Sequence, residues 1–322
     1  MNTLVLVIVA LLFSAYGIVC AIECGAGLAL LNPKLSSEPK DKRFPSSSLW
    51  LITTLLTLVL TFVLYVITKN TYLPISHYVY DLLIIGILAN IIKLLSTNYL
   101  GRKTNQKRLQ KFAPAYLIGC YLYSVSLGSI GIYFVTGKQF WSTIVGWTLI
   151  VSLVLGITLV GLSMQNRNSS YDKRIKLRQC IDLTFAGWLV ALGFAFPLSL
   201  QHYNSSLIGV SMSILEIVIV VSLLAYAFVS FSQKKPHELY QYALIIGFAA
   251  PILLALNNRP YLLTDRITIA QAFKSISFSQ SYFWLVYLFL GLGVILILLS
   301  IYITYKFLEI KPVLKFKTST HK

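Results

Sequence analysis

Ten carboxylates occur in the 322 residues, and four of them interrupt long apolar runs: Glu23, Asp81, Asp182 and Glu216. An acid in such a run is costly to place in lipid, so by default it faces a protein interior and marks a candidate site. Glu23 shares a helical face with Tyr16, Cys20 and Gly27, and small residues there let another helix approach closely. A carboxyl in that position could relay protons. At the inner edge of a membrane it could equally cap a helix or pair with Lys or Arg. Glu216 falls near the middle of its run with Gly209 and Ser213 on its face. It reads either as a proton site or as a protonated, hydrogen-bonded structural carboxyl. Asp81 has His77 one turn before it, which suits a structural pair better than catalysis. Asp182 opens its run and is expected as a helix N-cap. Lys93, a cation inside an apolar run, is expected to snorkel toward the inner membrane face.

Other chemistries find little support. The histidines His77, His202, His237 and His321 have no metal-site spacing, and only His77 falls convincingly within an apolar run, so haem ligation by this chain is not expected. There is no P-loop and no nucleotide-binding glycine motif. Nothing suggests a Ser–His–Asp or Cys–His site. The four cysteines, Cys20, Cys24, Cys120 and Cys180, fall within apolar runs or at a cytoplasmic helix end, which argues against a disulfide framework.

The elements that must position these groups are membrane helices. Hydrophobic residues make up 57% of the chain and charged ones 11%, well short of the roughly 25% charged residues of a soluble domain. A span needs roughly 20 apolar residues, and every backbone polar group inside lipid must be satisfied within the segment. Nine runs qualify, at about 3–24, 47–68, 73–96, 113–136, 141–164, 181–200, 206–232, 238–256 and 281–305. The first run lacks a basic n-region and reads as a span rather than a signal peptide. No inter-span loop is long enough for a soluble domain, so residues 1–322 are expected to form one all-α polytopic membrane domain. The stretch Asn257–Gln280 before the last span contains the mildly amphipathic run Ile267–Phe273 and reads as a surface-lying segment.

The net charge of +17 is unevenly placed. With the N-terminus outside, 21 Lys and Arg residues fall on the cytoplasmic side, in loops 32–46, 97–112, 165–180 and 233–237 and the C-terminal end, against five outside. This positive-inside bias sets the N-terminus outside and the C-terminus in the cytoplasm. The basic charge thus serves topology and contact with anionic lipids rather than nucleic acid.

Four stretches resemble subunit II of cytochrome bd-type quinol oxidases. Cys20-Ala21-Ile22-Glu23-Cys24-Gly25-Ala26-Gly27 is similar to the family's acidic, glycine-rich Asp-Gly-Phe-Asp-x-Gly-x-Gly. Ser48-Leu49-Trp50-Leu51-Ile52-Thr53 resembles its Asn-x-Val-Trp-Leu-x-Thr. The run from about Ile92 to Lys111, where a basic cytoplasmic loop leads into the fourth span, resembles the corresponding loop. The fourth stretch is Arg259-Pro260-Tyr261-Leu262-Leu263 with Ile267-Thr268-Ile269 and the final span to Tyr305-Lys306-Phe307, which resembles the family's closing segment.

The resemblance implies nine helices arranged as two four-helix bundles plus one peripheral helix, in a bacterial or archaeal cell membrane. It implies a heterodimer in which a pseudo-symmetric subunit I holds the haems and the quinol site. The complex would oxidise quinol and reduce dioxygen to water with cytoplasmic protons. This chain would bind no haem itself; a quinone within it and a small accessory subunit stay open. The family's proton-delivery aspartate before the second span is replaced by Pro45, and the first acid of its glycine-rich motif by Cys20. Glu23 is then the motif-supported proton-path candidate, with Glu216 and Asp81 as candidates from the residues alone. Two rival readings remain. One is a proton-coupled secondary transporter using Glu216 and Asp81, although Pro197 and Pro251, which interrupt spans six and eight, are not symmetrically placed. The other is a non-catalytic membrane scaffold.

Overall fold

The computed structural model of the chain describes residues 2–31, 47–69, 75–100, 106–136, 139–167, 171–200, 221, 261–263, 267–268 and 280–309. Seven α-helices have their bounds among these residues: α1 (Asn2–Leu31), α2 (Ser47–Lys69), α3 (Ile75–Leu100), α4 (Gln106–Thr136), α5 (Ile144–Arg167), α6 (Tyr171–Leu200) and α7 (Gln280–Glu309). Five are long and apolar enough to cross a membrane, over Val7–Gly25, His77–Ser96, Phe112–Tyr133, Ile144–Ser163 and Leu177–Phe194. The helices α2 and α7 carry shorter apolar stretches, Leu51–Val63 and Leu288–Tyr302. The chain is an all-α, multi-pass membrane protein. The expected seventh and eighth spans lie outside the described residues apart from Val221, which is helical and exposed. The division into two four-helix bundles and a peripheral helix falls with them.

Hydroxyl groups do not break these helices, because they fold back onto the carbonyl one turn earlier. Ser14 donates to Ala10 O at 2.9 Å, Ser124 to Cys120 O at 2.8 Å and Ser300 to Leu296 O at 2.7 Å. Each hydroxyl is thereby satisfied inside its own helix, as a lipid surround demands. A short 3-10 turn, Phe140–Ser142, precedes α5, and the Thr143 hydroxyl caps that helix by accepting from Gly146 N at 3.1 Å.

The helix α1 is the hub of the described bundle and packs against α2, α4, α5 and α7. In its apolar stretch 72% of the residues are buried, against 28% for α6, which places α6 at the periphery of the described helices. On α7, Phe289 stacks on Phe62 of α2 at 4.0 Å. The most extensive pairings are α3 with α4 and α5 with α6, consecutive helices joined by the basic connections.

Two expectations about local structure are corrected. The basic loops expected at 97–112 and 165–180 are shorter than hydropathy suggests: α3 ends at Leu100 and α4 starts at Gln106, while α5 ends at Arg167 and α6 starts at Tyr171. Hydropathy finds where a helix enters lipid, not where it ends, and Lys and Arg are good helix formers at the headgroup level. Pro197 does not interrupt its span, since α6 continues to Leu200. The described part of the segment expected to lie on the surface is a small antiparallel β-hairpin, β1 (Tyr261–Leu263) with β2 (Ile267–Thr268), paired Tyr261 to Thr268 and Leu263 to Ile267 and sited beside α4. Its β-branched and aromatic residues, Tyr261, Ile267 and Thr268, favour pairing.

Candidate functional site: a buried ion pair on the central helix

Glu23 lies on the hub helix and is 1% exposed, while Lys93 of α3 is 0% exposed. Lys93 Nζ donates to Glu23 Oε2 at 2.7 Å. The other carboxylate oxygen, Oε1, accepts from Thr53 Oγ1 of α2 at 3.2 Å. One carboxylate thus ties three helices together. The backbone carbonyl of Thr53 in turn accepts from Tyr123 Oη of α4 at 3.2 Å and from Thr57 Oγ1 at 2.6 Å. The Lys93 ammonium also sits 5.1 Å from the centroid of the Tyr123 ring, and the Tyr16 ring meets Tyr123 edge-on at 4.5 Å. One turn before Lys93, Asn90 Nδ2 donates to Thr54 Oγ1 at 3.3 Å, a second polar link between α3 and α2.

Glycines bring the backbones close enough for these reaches. A Cβ on Gly119 of α4 would lie 2.9 Å from Ala89 O and 3.1 Å from Lys93 N, so α4 presses against α3 where the lysine emerges. A Cβ on Gly161 of α5 would lie 2.6 Å from Ala21 O and from Gly25 Cα, so α1 and α5 touch backbone to backbone just beyond Glu23. Gly27 meets Tyr116 and Leu117 of α4 at 3.0–3.3 Å in the same sense. The small residues flanking Glu23 therefore do what their pattern predicts.

The electrostatics follow from burial. A lone carboxylate or ammonium in a dry core costs several kcal/mol even after relaxation. Here the two charges cancel, both carboxylate oxygens accept hydrogen bonds, and a π-face adds to the cation's surroundings. The arrangement can hold a proton on either side of a short Nζ–Oε2 contact without moving heavy atoms. The buried thiols of Cys20, Cys24 and Cys120 lie close by on α1 and α4. Among the described residues no group of three or more His, Cys, Asp or Glu side chains is arranged to hold a metal.

The other candidates are not brought to this site. Glu216 lies outside the described residues. Asp81 and His77 are both exposed on α3, and among the described residues no ion pair joins them. Asp182 is not an N-cap: it sits eleven residues into α6, with its Oδ2 3.9 Å from Arg178 Nε one turn earlier. The expectation fails because the helix starts at Tyr171 on the basic side of the membrane. Lys93 does not snorkel, because Glu23 offers a compensating charge in the core. A signal for this pair existed in the sequence: one acid and one base in the C-terminal halves of two spans are cheaper buried together than apart.

No family model matches the chain, and no curated protein matches it significantly. Among solved structures, a chain of the bd oxidase from Geobacillus thermodenitrificans superposes with a TM-score of 0.67 at 14% identity, covering 95% of this chain and 97% of that one. At that identity the likeness is one of fold, and it extends over essentially the whole length of both chains: this chain shares the helical membrane fold of a bd oxidase chain.

Proposed function

We propose that the chain is the haem-poor second subunit of a cytochrome bd-type quinol:oxygen oxidoreductase, a single membrane domain that packs against and stabilises a haem-bearing subunit I. The observation that carries this reading is the full-length fold likeness to a bd oxidase chain, at TM-score 0.67. Its glycine-rich acidic stretch, similar to that of subunit II, lies at the core of the described bundle, where Gly25 and Gly27 close the packing around Glu23. Of the four histidines, His77 is the one among the described residues, and it is exposed on α3. In this reading, as the resemblance to subunit II implies, haem and quinol chemistry belong to the partner.

Within this reading Glu23 is the carboxyl placed for proton traffic, and Lys93 limits what it can do. A proton arriving at Glu23 would leave the buried ammonium uncompensated, so any proton passed on must be exchanged within the pair. The same network acts as a three-helix tie, which favours an architectural weight for Glu23. An open apolar groove of about 300 Å³ between α5 and α6, lined by Trp147, Thr148, Val151, Gly187, Val190, Ala191 and Phe194, offers a bed for a lipid or quinone tail. The transporter reading is weaker, since Asp81 is exposed on α3.

The test is purification from native membranes in mild detergent with reduced-minus-oxidised visible spectra. Haem bands and quinol oxidase activity are expected in the complex, and haem bands are expected to be absent from this chain once separated. Recovery of the chain without a haem-bearing partner, or proton-driven solute uptake by liposomes containing it alone, contradicts the proposal.

A further inference from the structure

Three of the four thiols are buried in one place and take no part in the Glu23–Lys93 network. Cys20 and Cys24 lie one turn apart on α1, Cys120 lies on α4, and all three are 0% exposed in the same apolar core. Each is a free thiol in the structure. Two contacts fix how α1 and α4 pass each other. A Cβ on Gly27 would lie 3.0 Å from Leu117 Cδ1 and 3.1 Å from Tyr116 Cδ1, and the Tyr16 ring meets Tyr123 at 4.5 Å. The two helices are therefore antiparallel, and Cys120 falls between those contacts, level with the turn that carries Cys20 and Cys24. Its thiol is the hydrogen-bonding neighbour of Cys24. Lys93 approaches from the other side: a Cβ on Gly119 would lie 3.3 Å from Lys93 Cβ, and the ammonium is within electrostatic reach of Cys120.

Burial restricts what two such thiols can become. A disulfide is neutral, whereas a sulfinate would bring a net negative charge beside an ion pair that is already balanced. A monovalent metal held by two thiolates would do the same. A divalent one finds no set of three ligands among the described residues. A disulfide needs Cα atoms within about 7 Å of each other, and the missing Cβ of Gly27 lets α1 and α4 approach closely one turn from Cys24.

We infer that Cys24 and Cys120 are a reversible disulfide-forming pair, oxidised by hydrogen peroxide, and that the bond staples the hub helix to α4 beside Glu23 and Lys93. The oxidant must be small and uncharged to enter this core, which hydrogen peroxide is. Cys120 attacks first. Its sulfur bonds one peroxide oxygen, the O–O bond breaks, and the thiol proton leaves with the departing hydroxide as water. Negative charge developing on that sulfur is met by the Lys93 ammonium. Cys24 then attacks the sulfenic sulfur of Cys120. The S–S bond forms, the S–O bond breaks, and the Cys24 proton leaves with the hydroxide as a second water. A neutral dithiol reverses the bond by exchange. The pair lies wholly within this chain and does not rest on the oxidase reading.

The complex carrying Cys180→Ser, purified in mild detergent, is treated with hydrogen peroxide, quenched with catalase, denatured and labelled with a maleimide-polyethylene glycol. The reduced chain is expected to take three adducts and the oxidised chain one, at Cys20, with three restored by dithiothreitol. Cys20→Ala should keep the loss of two adducts, and Cys24→Ala or Cys120→Ala should abolish it. Mass spectrometry of the oxidised parent should find a peptide joining Cys24 to Cys120, a readout that needs no alanine variant to fold. The oxidised chain should melt above the reduced one. Undiminished labelling after peroxide, a bond that uses Cys20, a loss that dithiothreitol does not restore, or equal melting of the oxidised and reduced parent would overturn the inference. Haem bands in the same preparation bear on the oxidase reading alone, so either can fail without the other.

Discussion

Glu23 and Lys93 are 70 residues apart and meet at 2.7 Å in a site from which solvent is excluded. Removing one partner of such a pair costs about 3–5 kcal/mol, because it leaves a buried charge uncompensated, whereas replacing both can be close to neutral. Glu23→Gln and Lys93→Met are therefore each expected to destabilise by about 3–5 kcal/mol, and the double variant by much less than the sum. Cys20, Cys24 and Cys120 are buried and Cys180 is exposed, so a thiol-reactive dye on a Cys180→Ser background reports unfolding directly in detergent. Equal melting of Glu23→Gln and the parent would show that the tie contributes nothing. Glu23 was legible in the sequence because a carboxyl among glycines in an apolar run is too costly to leave facing lipid. Its partner was not, since a lysine near the inner end of a span can reach either the headgroups or the core. Only the fold decides between them, and Thr53 as the third member carries no charge that would draw notice.

At the scale of elements, glycine positions separate close approach from free surface. Gly17 and Gly25 lie on the same helix, yet a Cβ on Gly17 meets nothing within 4 Å while one on Gly25 would collide with the backbone of Gly161. Gly17→Ala should then be neutral or stabilise by about 0.5–1 kcal/mol through helix propensity. Gly25→Ala should destabilise by about 1–3 kcal/mol, as overpacking forces α1 from α5 and strains the reach of Glu23 to Thr53. Melting of the two variants side by side checks this, and matching behaviour would mean that α1 and α5 are not in backbone contact. Helix existence was readable from apolar length for each described span. Helix ends were not: Asp182 looked like a cap because lipid hydropathy begins near it, while the helix begins at Tyr171. The pairing of β1 with β2 was not legible, because strands of three and two residues are too short for a periodicity to register.

At the scale of the whole molecule, the charge asymmetry predicts which way the bundle sits. The chain carries 27 basic and ten acidic residues, and with the N-terminus outside most of the basic ones gather on the cytoplasmic side. Moving that many cations to the outer face would oppose both the membrane potential and the anionic inner leaflet. Two exposed positions on opposite ends of the described helices make the orientation measurable. Gln139 is exposed between α4 and α5 at the end expected outside. Ile175 is 54% exposed near the start of α6, beyond its apolar stretch Leu177–Phe194 and among Lys173, Arg174 and Lys176. With exposed Cys180 replaced by Ser, a cysteine at position 139 should react with a membrane-impermeant maleimide in intact cells, and one at 175 only after the membrane is opened. The reverse pattern would put the basic loops outside and would detach the Glu23–Lys93 pair from the cytoplasmic proton supply that a proton role requires.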